Sequence, residues 1–71
     1  MKSFAELYDE YNRSIAHQKE VIGSYRKKLL LESKKSNIKE VKRLNGILYV
    51  LYEEKSELEE RAAEIGKYIS V

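Results

Sequence analysis

The apolar residues of this chain form two stripes, one in each half, that repeat at alternating steps of three and four residues. This spacing keeps one face of an α-helix apolar, as in the seam of a coiled coil. The first stripe consists of Phe4, Tyr8, Tyr11, Ile15, Gln18, Ile22, Tyr25, Leu29 and Glu32. The second consists of Val41, Leu44, Leu48, Leu51, Lys55, Leu58, Ala62, Ile65 and Ile69. The pattern therefore predicts two long helices.

Capping patterns indicate where the two predicted helices begin. Ser3 and Glu6 have the spacing of a capping box, in which each side chain binds the other's backbone N–H group. Asn37 and Glu40 have the same spacing in the second half of the chain. We therefore predict a helix over about 4–34, a bend at about 35–37 and a helix over about 38–69.

A bend this short makes the two helices antiparallel neighbours and pairs the two stripes residue by residue. In this register Leu29 faces Leu44, and the bulky Tyr11 faces the small Ala62, as close packing requires. The sequence therefore predicts an all-α fold, an antiparallel two-helix coiled-coil hairpin that forms a single domain over residues 1–71.

The middle of the second helix carries more apolar surface than one seam can bury. Residues 46–52 are apolar around the whole helix, although only Leu48 and Leu51 belong to the stripe. Along the outer side of this helix the residues are first basic, then apolar, then acidic, so an antiparallel copy would bring Arg43 near Glu57. We therefore predict a homodimer that forms a four-helix bundle. Its predicted self-interface is Ile47, Tyr49, Val50, Tyr52, Arg43 and Glu57.

Two other interpretations of this surface stay open at the level of sequence. The dimer can instead form along the flank that carries Leu7, Val21, Ile47 and Tyr68. The outer side can also be a solvated gradient of charge with scattered exposed tyrosines and no partner.

Basic residues are concentrated around the bend. The net charge of the chain is only +2, yet eight of the 18 residues from 26 to 43 are Lys or Arg. Such a cluster binds nucleic acid phosphates, the acidic end of a second copy, or nothing. The possible nucleic-acid contacts are Arg26, Lys27, Lys34, Lys35, Lys39, Lys42 and Arg43.

Residues suited to catalysis or to binding a cofactor are scarce. The chain has no cysteine, His17 is its one histidine, and the three glycines stand apart from one another. We therefore predict no catalytic residue, no cofactor, no metal ligand and no small-molecule substrate. No apolar run approaches the roughly 20 residues needed to cross a bilayer. The expected location is the cytoplasm, because neither a signal peptide nor a disulfide is indicated.

Two acidic stretches, residues 9–13 and 51–60, resemble those of small uncharacterised bacterial two-helix coiled-coil proteins. The predicted architecture also resembles that of the Rop family, whose hairpins dimerise into four-helix bundles and bind paired RNA loops. The second resemblance is one of architecture alone, and no residue is carried over from it. From pattern and resemblance together we expect a non-enzymatic protein-interaction or assembly module. The alternative is a small RNA- or DNA-binding regulator that uses the basic bend.

Overall fold

A computed structural model describes residues 2–69 of the 71-residue chain. Two α-helices follow one another, α1 over Phe4–Lys34 and α2 over Ile38–Ile69. They pack against each other as a rod with dimensions of 52 × 19 × 15 Å. The predicted all-α antiparallel helical hairpin is confirmed, and the helix bounds agree with those expected from the capping patterns.

The apolar stripes form the seam between α1 and α2. Within residues 2–69 the buried apolar side chains are Ile22, Leu44, Leu48 and Ala62, and all four belong to the stripes. Leu44 is the most deeply buried, with 1% of its surface exposed. Most other stripe residues are partly buried. The hydrophobic core is therefore narrow and only one layer of side chains wide.

A polar contact across the middle of the seam agrees with the predicted register. The Gln18 side-chain amide donates to the Leu51 carbonyl oxygen and to a Glu54 carboxylate oxygen, each at 3.2 Å. A helix carbonyl points towards the residue four positions later, so the Leu51 oxygen lies beside Lys55. Lys55 is the residue that the pairing of the two stripes places opposite Gln18.

The seam is less buried at the open end of the hairpin than the pattern predicts. Phe4 is 53% exposed and Ile69 is 41% exposed, although they were expected to form the last layer together. The Phe4 ring instead stacks on Tyr68, with ring centroids 5.1 Å apart and planes 15° apart. Stacking gives Phe4 a large flat aromatic partner, which the aliphatic Ile69 side chain does not offer.

The bend closes α1 with a Schellman motif. The Asn37 N–H donates to the Glu32 carbonyl and the Ser36 N–H donates to the Ser33 carbonyl, both at 3.1 Å. Ser36 has a φ of 57°, in the left-handed region that glycine usually occupies at this position. The turn therefore satisfies the last carbonyls of α1, but with a serine in an unfavourable backbone conformation.

Asn37 connects the end of α1 to the start of α2. Its side-chain amide nitrogen donates to a Glu32 carboxylate oxygen at 3.2 Å. Its side-chain oxygen accepts from the Glu40 N–H at 3.4 Å, which confirms Asn37 as the predicted N-cap. At the other end of the hairpin, Ser3 caps α1 by accepting from the Glu6 N–H at 3.2 Å. Ser3 and Asn37 are thus confirmed as the predicted N-caps, while at α2 the Glu40 carboxylate accepts from Arg43 and the Asn37 N–H donates to the Glu32 carbonyl.

Candidate interaction surfaces

The outer side of α2 exposes a group of large apolar side chains halfway along the rod. Tyr49, Val50 and Tyr52 are 65%, 50% and 44% exposed. Their neighbour Leu48 is buried because it points into the seam. A single apolar run of the sequence is thus divided, with one part inside the hairpin and the other facing solvent.

The alternative flank predicted for a dimer is largely covered by the hairpin itself. Leu7, Val21 and Ile47 are all partly buried. Tyr68 is 64% exposed, but one face of its ring is stacked on Phe4. Ile47 belongs to the predicted self-interface, and its partial burial makes it a smaller contributor than the tyrosines. The surface around Tyr49 is therefore the more available of the two.

The neutral hydroxyl of Tyr49 lies beside the negative charge of Glu53. A hydrogen bond from its hydroxyl to the Glu53 carboxylate, reinforced by the charge of that carboxylate, raises the pKa of Tyr49 above its usual value. Glu53 lies one turn after Tyr49 on the same side of α2. The pair therefore presents to solvent an aromatic ring with the Glu53 carboxylate next to its hydroxyl.

Arg43, which is predicted to meet Glu57 of a second copy, has an acidic partner in its own chain. Its guanidinium donates to Glu40 through Nε at 3.0 Å and also through a terminal nitrogen. The Arg43 hydrogen bond lowers the pKa of Glu40, and the same bond raises the pKa of Arg43. Both Arg43 and Glu57 are exposed, so the predicted contact stays sterically open.

Two shallow depressions lie next to each other on the hairpin and have Arg26 in common. The first, which we call the Gly23 depression, is lined by Lys19, Ile22, Gly23, Arg26, Tyr52 and Lys55. The second is lined by Arg26, Lys27, Leu29, Leu30 and Ser33. In both depressions apolar groups of α1 form the floor and cations stand at the rim. The apolar stripes gave no signal of these depressions, because most of the lining residues lie outside the stripes.

The bend is both basic and apolar at its surface. All seven residues predicted as possible nucleic-acid contacts are exposed. Lys35 lies 3.8 Å from Glu32, and Lys28 lies over the Tyr25 ring at 5.0 Å from its centroid. The hydrophobic pattern did not predict the exposed apolar residues among these cations. These residues are Leu30, Leu31 and Ile38, which are 59%, 56% and 69% exposed.

Known proteins give no further guide to these surfaces. No protein-family model, curated protein or solved structure matches the chain. Within residues 2–69, no three His, Cys, Asp or Glu side chains are grouped so that they could hold a metal ion. In the same range, neither helix has the length and apolarity needed to span a membrane. Function is therefore inferred from the exposed surfaces.

Proposed function

We propose that the chain is a non-enzymatic protein-interaction and assembly module that acts as a homodimer of helical hairpins. The two hairpins form a four-helix bundle. The observation that carries the proposal is the exposure of Tyr49, Val50 and Tyr52 together in the middle of the rod. Large apolar patches on a small protein mark surfaces that another molecule covers.

The total exposed surface supports the presence of a partner. The chain exposes 5721 Å². A compact monomer of its mass, 8.4 kDa, exposes roughly 4,600 Å². A standard protein interface removes about 800 Å² from each partner, which is most of the difference. Dimerisation would therefore bring the surface of each chain close to that of a compact protein.

Charge favours an antiparallel arrangement of the two rods. A two-fold axis near residue 50 would place the basic half of one α2 beside the acidic half of the other. Arg43 of one copy would then approach Glu57 of its partner. The bond between Arg43 and Glu40 does not prevent this contact, because a guanidinium has five N–H donors and can bind two carboxylates.

A four-helix bundle of this kind would act as a rigid rod that holds other proteins at a fixed spacing. The cations nearest the turn, Lys34, Lys35 and Lys39, would lie at the ends of the dimer and would provide the contact to a protein partner. A reducing compartment such as the cytoplasm suits this chain, which has no cysteine.

A charge swap tests the proposed dimer. Glu57→Lys should weaken dimerisation, measured as the dissociation constant from sedimentation velocity over a dilution series. Adding Arg43→Glu should restore part of the lost affinity, because the two charges are exchanged rather than removed. Lys67→Glu at the open end is the matched control and should leave the dissociation constant unchanged. A double variant no tighter than Glu57→Lys alone would contradict the proposed pairing.

Binding of nucleic acid is the second candidate, and the seven exposed cations around the bend favour it. Labelled RNA and DNA duplexes should be titrated with the chain at two salt concentrations. Phosphate contacts predict binding that weakens steeply as salt rises, with a slope set by the number of phosphates neutralised. Lys34→Glu together with Lys39→Glu should abolish such binding. The absence of binding at low salt would remove this candidate.

A further inference from the structure

We infer that the Gly23 depression of one hairpin receives the Tyr49 side chain of a second copy of this chain. The ring lies over Gly23, and the hydroxyl, bonded to Glu53, points to the cations at the rim. This inference rests on the proposed homodimer and names the site at which the two copies interlock.

The three glycines of the chain differ in what lies beside them. A Cβ atom at Gly66 would lie 3.3 Å from the Tyr8 ring, so this glycine provides space for an aromatic side chain of its own hairpin. A Cβ atom at Gly23 would meet nothing within 4 Å. Glycine weakens the interior of a helix, and α1 itself gains no contact from the one at position 23. A ring from a second copy would use that space as Tyr8 uses the space at Gly66.

The position of Tyr49 along the rod suits this contact. Tyr52 is part of the wall of the Gly23 depression, and Tyr49 lies one helical turn before it on the same side of α2. The depression and Tyr49 are therefore at nearly the same height. A two-fold axis at that height brings Tyr49 of each copy over the depression of the other, and both contacts form at once.

The chemistry of the depression matches that of the Tyr49–Glu53 pair. Its floor is the apolar surface of Ile22 and Gly23. Lys55 at the rim is already paired with Glu59 at 3.0 Å. Among the described residues, Lys19 and Arg26 have no ion-pair partner in their own chain. A cation binds favourably to the face of an aromatic ring and to a carboxylate. Lys19 and Arg26 would therefore hold the Tyr49 ring and the Glu53 carboxylate.

A third depression on the rod lacks this chemistry. It is lined by Leu7, Glu10, Tyr11 and Ser14, and its one charged lining residue, Glu10, is already paired with Lys2. The Glu53 carboxylate beside the Tyr49 ring would therefore meet no unpaired cation of the lining there. Charge thus favours the Gly23 depression over this third depression.

Two substitutions to alanine in α1 test the contact. Gly23→Ala should raise the dissociation constant of the dimer about tenfold or more, because the added methyl group takes the space of the ring. Ser24→Ala is the control, because Ser24 is exposed, does not line the depression and gains helix propensity in the same way. It should leave the dissociation constant unchanged. Helix content from circular dichroism should not fall in either variant.

The possible results separate this inference from the proposed function. If Gly23→Ala leaves the dimer unchanged or tighter, the depression is empty and the inference is overturned while the dimer stands. If Ser24→Ala weakens the dimer as much as Gly23→Ala does, the loss does not come from the depression, and the inference again fails. An unsubstituted chain that is monomeric at every concentration overturns both proposals.

A photo-crosslink tests the contact directly. With Tyr49→p-benzoylphenylalanine, illumination should join two copies, and the adduct should map to the tryptic peptide of residues 20–26. Tyr68→p-benzoylphenylalanine is the control, because Tyr68 is as exposed as Tyr49, at 64% and 65%, and lies far from the depression. Adducts from position 49 that map elsewhere, or that form only with added RNA, would overturn the inference.

Discussion

The bend and the middle of the hairpin differ in how completely the chain satisfies its own groups. At the bend, the last carbonyls of α1 and the first N–H groups of α2 find partners within the turn itself. In the middle, Leu48 is buried while Tyr49, the next residue, is 65% exposed. The backbone groups of the bend are therefore satisfied within one chain, whereas the middle leaves large apolar side chains that a second chain can cover.

This difference separates two properties that are easily confused in a small helical protein. The bend determines that the chain folds back and at which residue, and this does not depend on concentration. The outer side of α2 determines what the hairpin joins, and this does depend on concentration. Substitutions in the two regions should therefore be distinguishable by a dilution series.

The largest effect on stability is expected from a substitution in the seam halfway along the hairpin. Leu48→Ala should lower the free energy of unfolding by about 2–5 kcal/mol, because it removes buried methyl groups and leaves a cavity. Chemical denaturation followed by circular dichroism measures this change. Leu31→Ala is the control, since Leu31 is 56% exposed and should cost far less. Equal losses at the two positions would contradict the burial pattern of the seam.

A smaller loss is expected at the bend. Asn37→Ala should lower the free energy of unfolding by about 1 kcal/mol, because α2 loses its N-cap. Its bond to Glu32 is lost at the same time. The loss should be the same at every protein concentration, measured by denaturation in a dilution series. A loss that appears only at concentrations where the chain associates would show that Asn37 contributes to the interface instead.

A gain in stability is expected at Ser36, one residue before Asn37. Ser36→Gly should raise the free energy of unfolding by roughly 0.5–1 kcal/mol, because glycine adopts a left-handed conformation without steric cost. Ser33→Gly, the same exchange within α1, should instead destabilise the helix. Thermal unfolding of the two variants at the same protein concentration measures both changes in stability. Destabilisation by Ser36→Gly would contradict the positive φ of the turn.

The smallest expected effect is a dependence of the free energy of unfolding on pH. The hydrogen bond from Arg43 holds the pKa of Glu40 below its model-compound value of 4.5. The folded state therefore gains stability from Glu40 above about pH 4.5, and this gain is lost as the pH falls through the lowered value. The Glu40→Gln variant should lose less stability than the unsubstituted chain as the pH falls from 5 to 2, as measured by urea denaturation. Equal losses would indicate that the bond does not persist in solution.

The hairpin could be predicted from sequence because its determinants are periodic or local. The stripe containing Leu44 and Leu48 sets the seam, and Ser3 and Asn37 set the helix starts. The exposure of Leu30 and Leu31 was not predicted, since it depends on how far the seam covers neighbouring positions. The Gly23 depression was also missed, because four of its six lining residues lie outside the periodic stripes. Phe4 stacks on Tyr68 instead of packing on Ile69. This was also missed, because a hydrophobic pattern does not encode how two rings are oriented.

Sedimentation equilibrium over a range of concentrations, with helix content recorded on the same samples, tests the central claim most directly. The account predicts a helical species of twice the chain mass of 8.4 kDa that dissociates to single hairpins on dilution. A fully helical chain of 8.4 kDa at every concentration would contradict it.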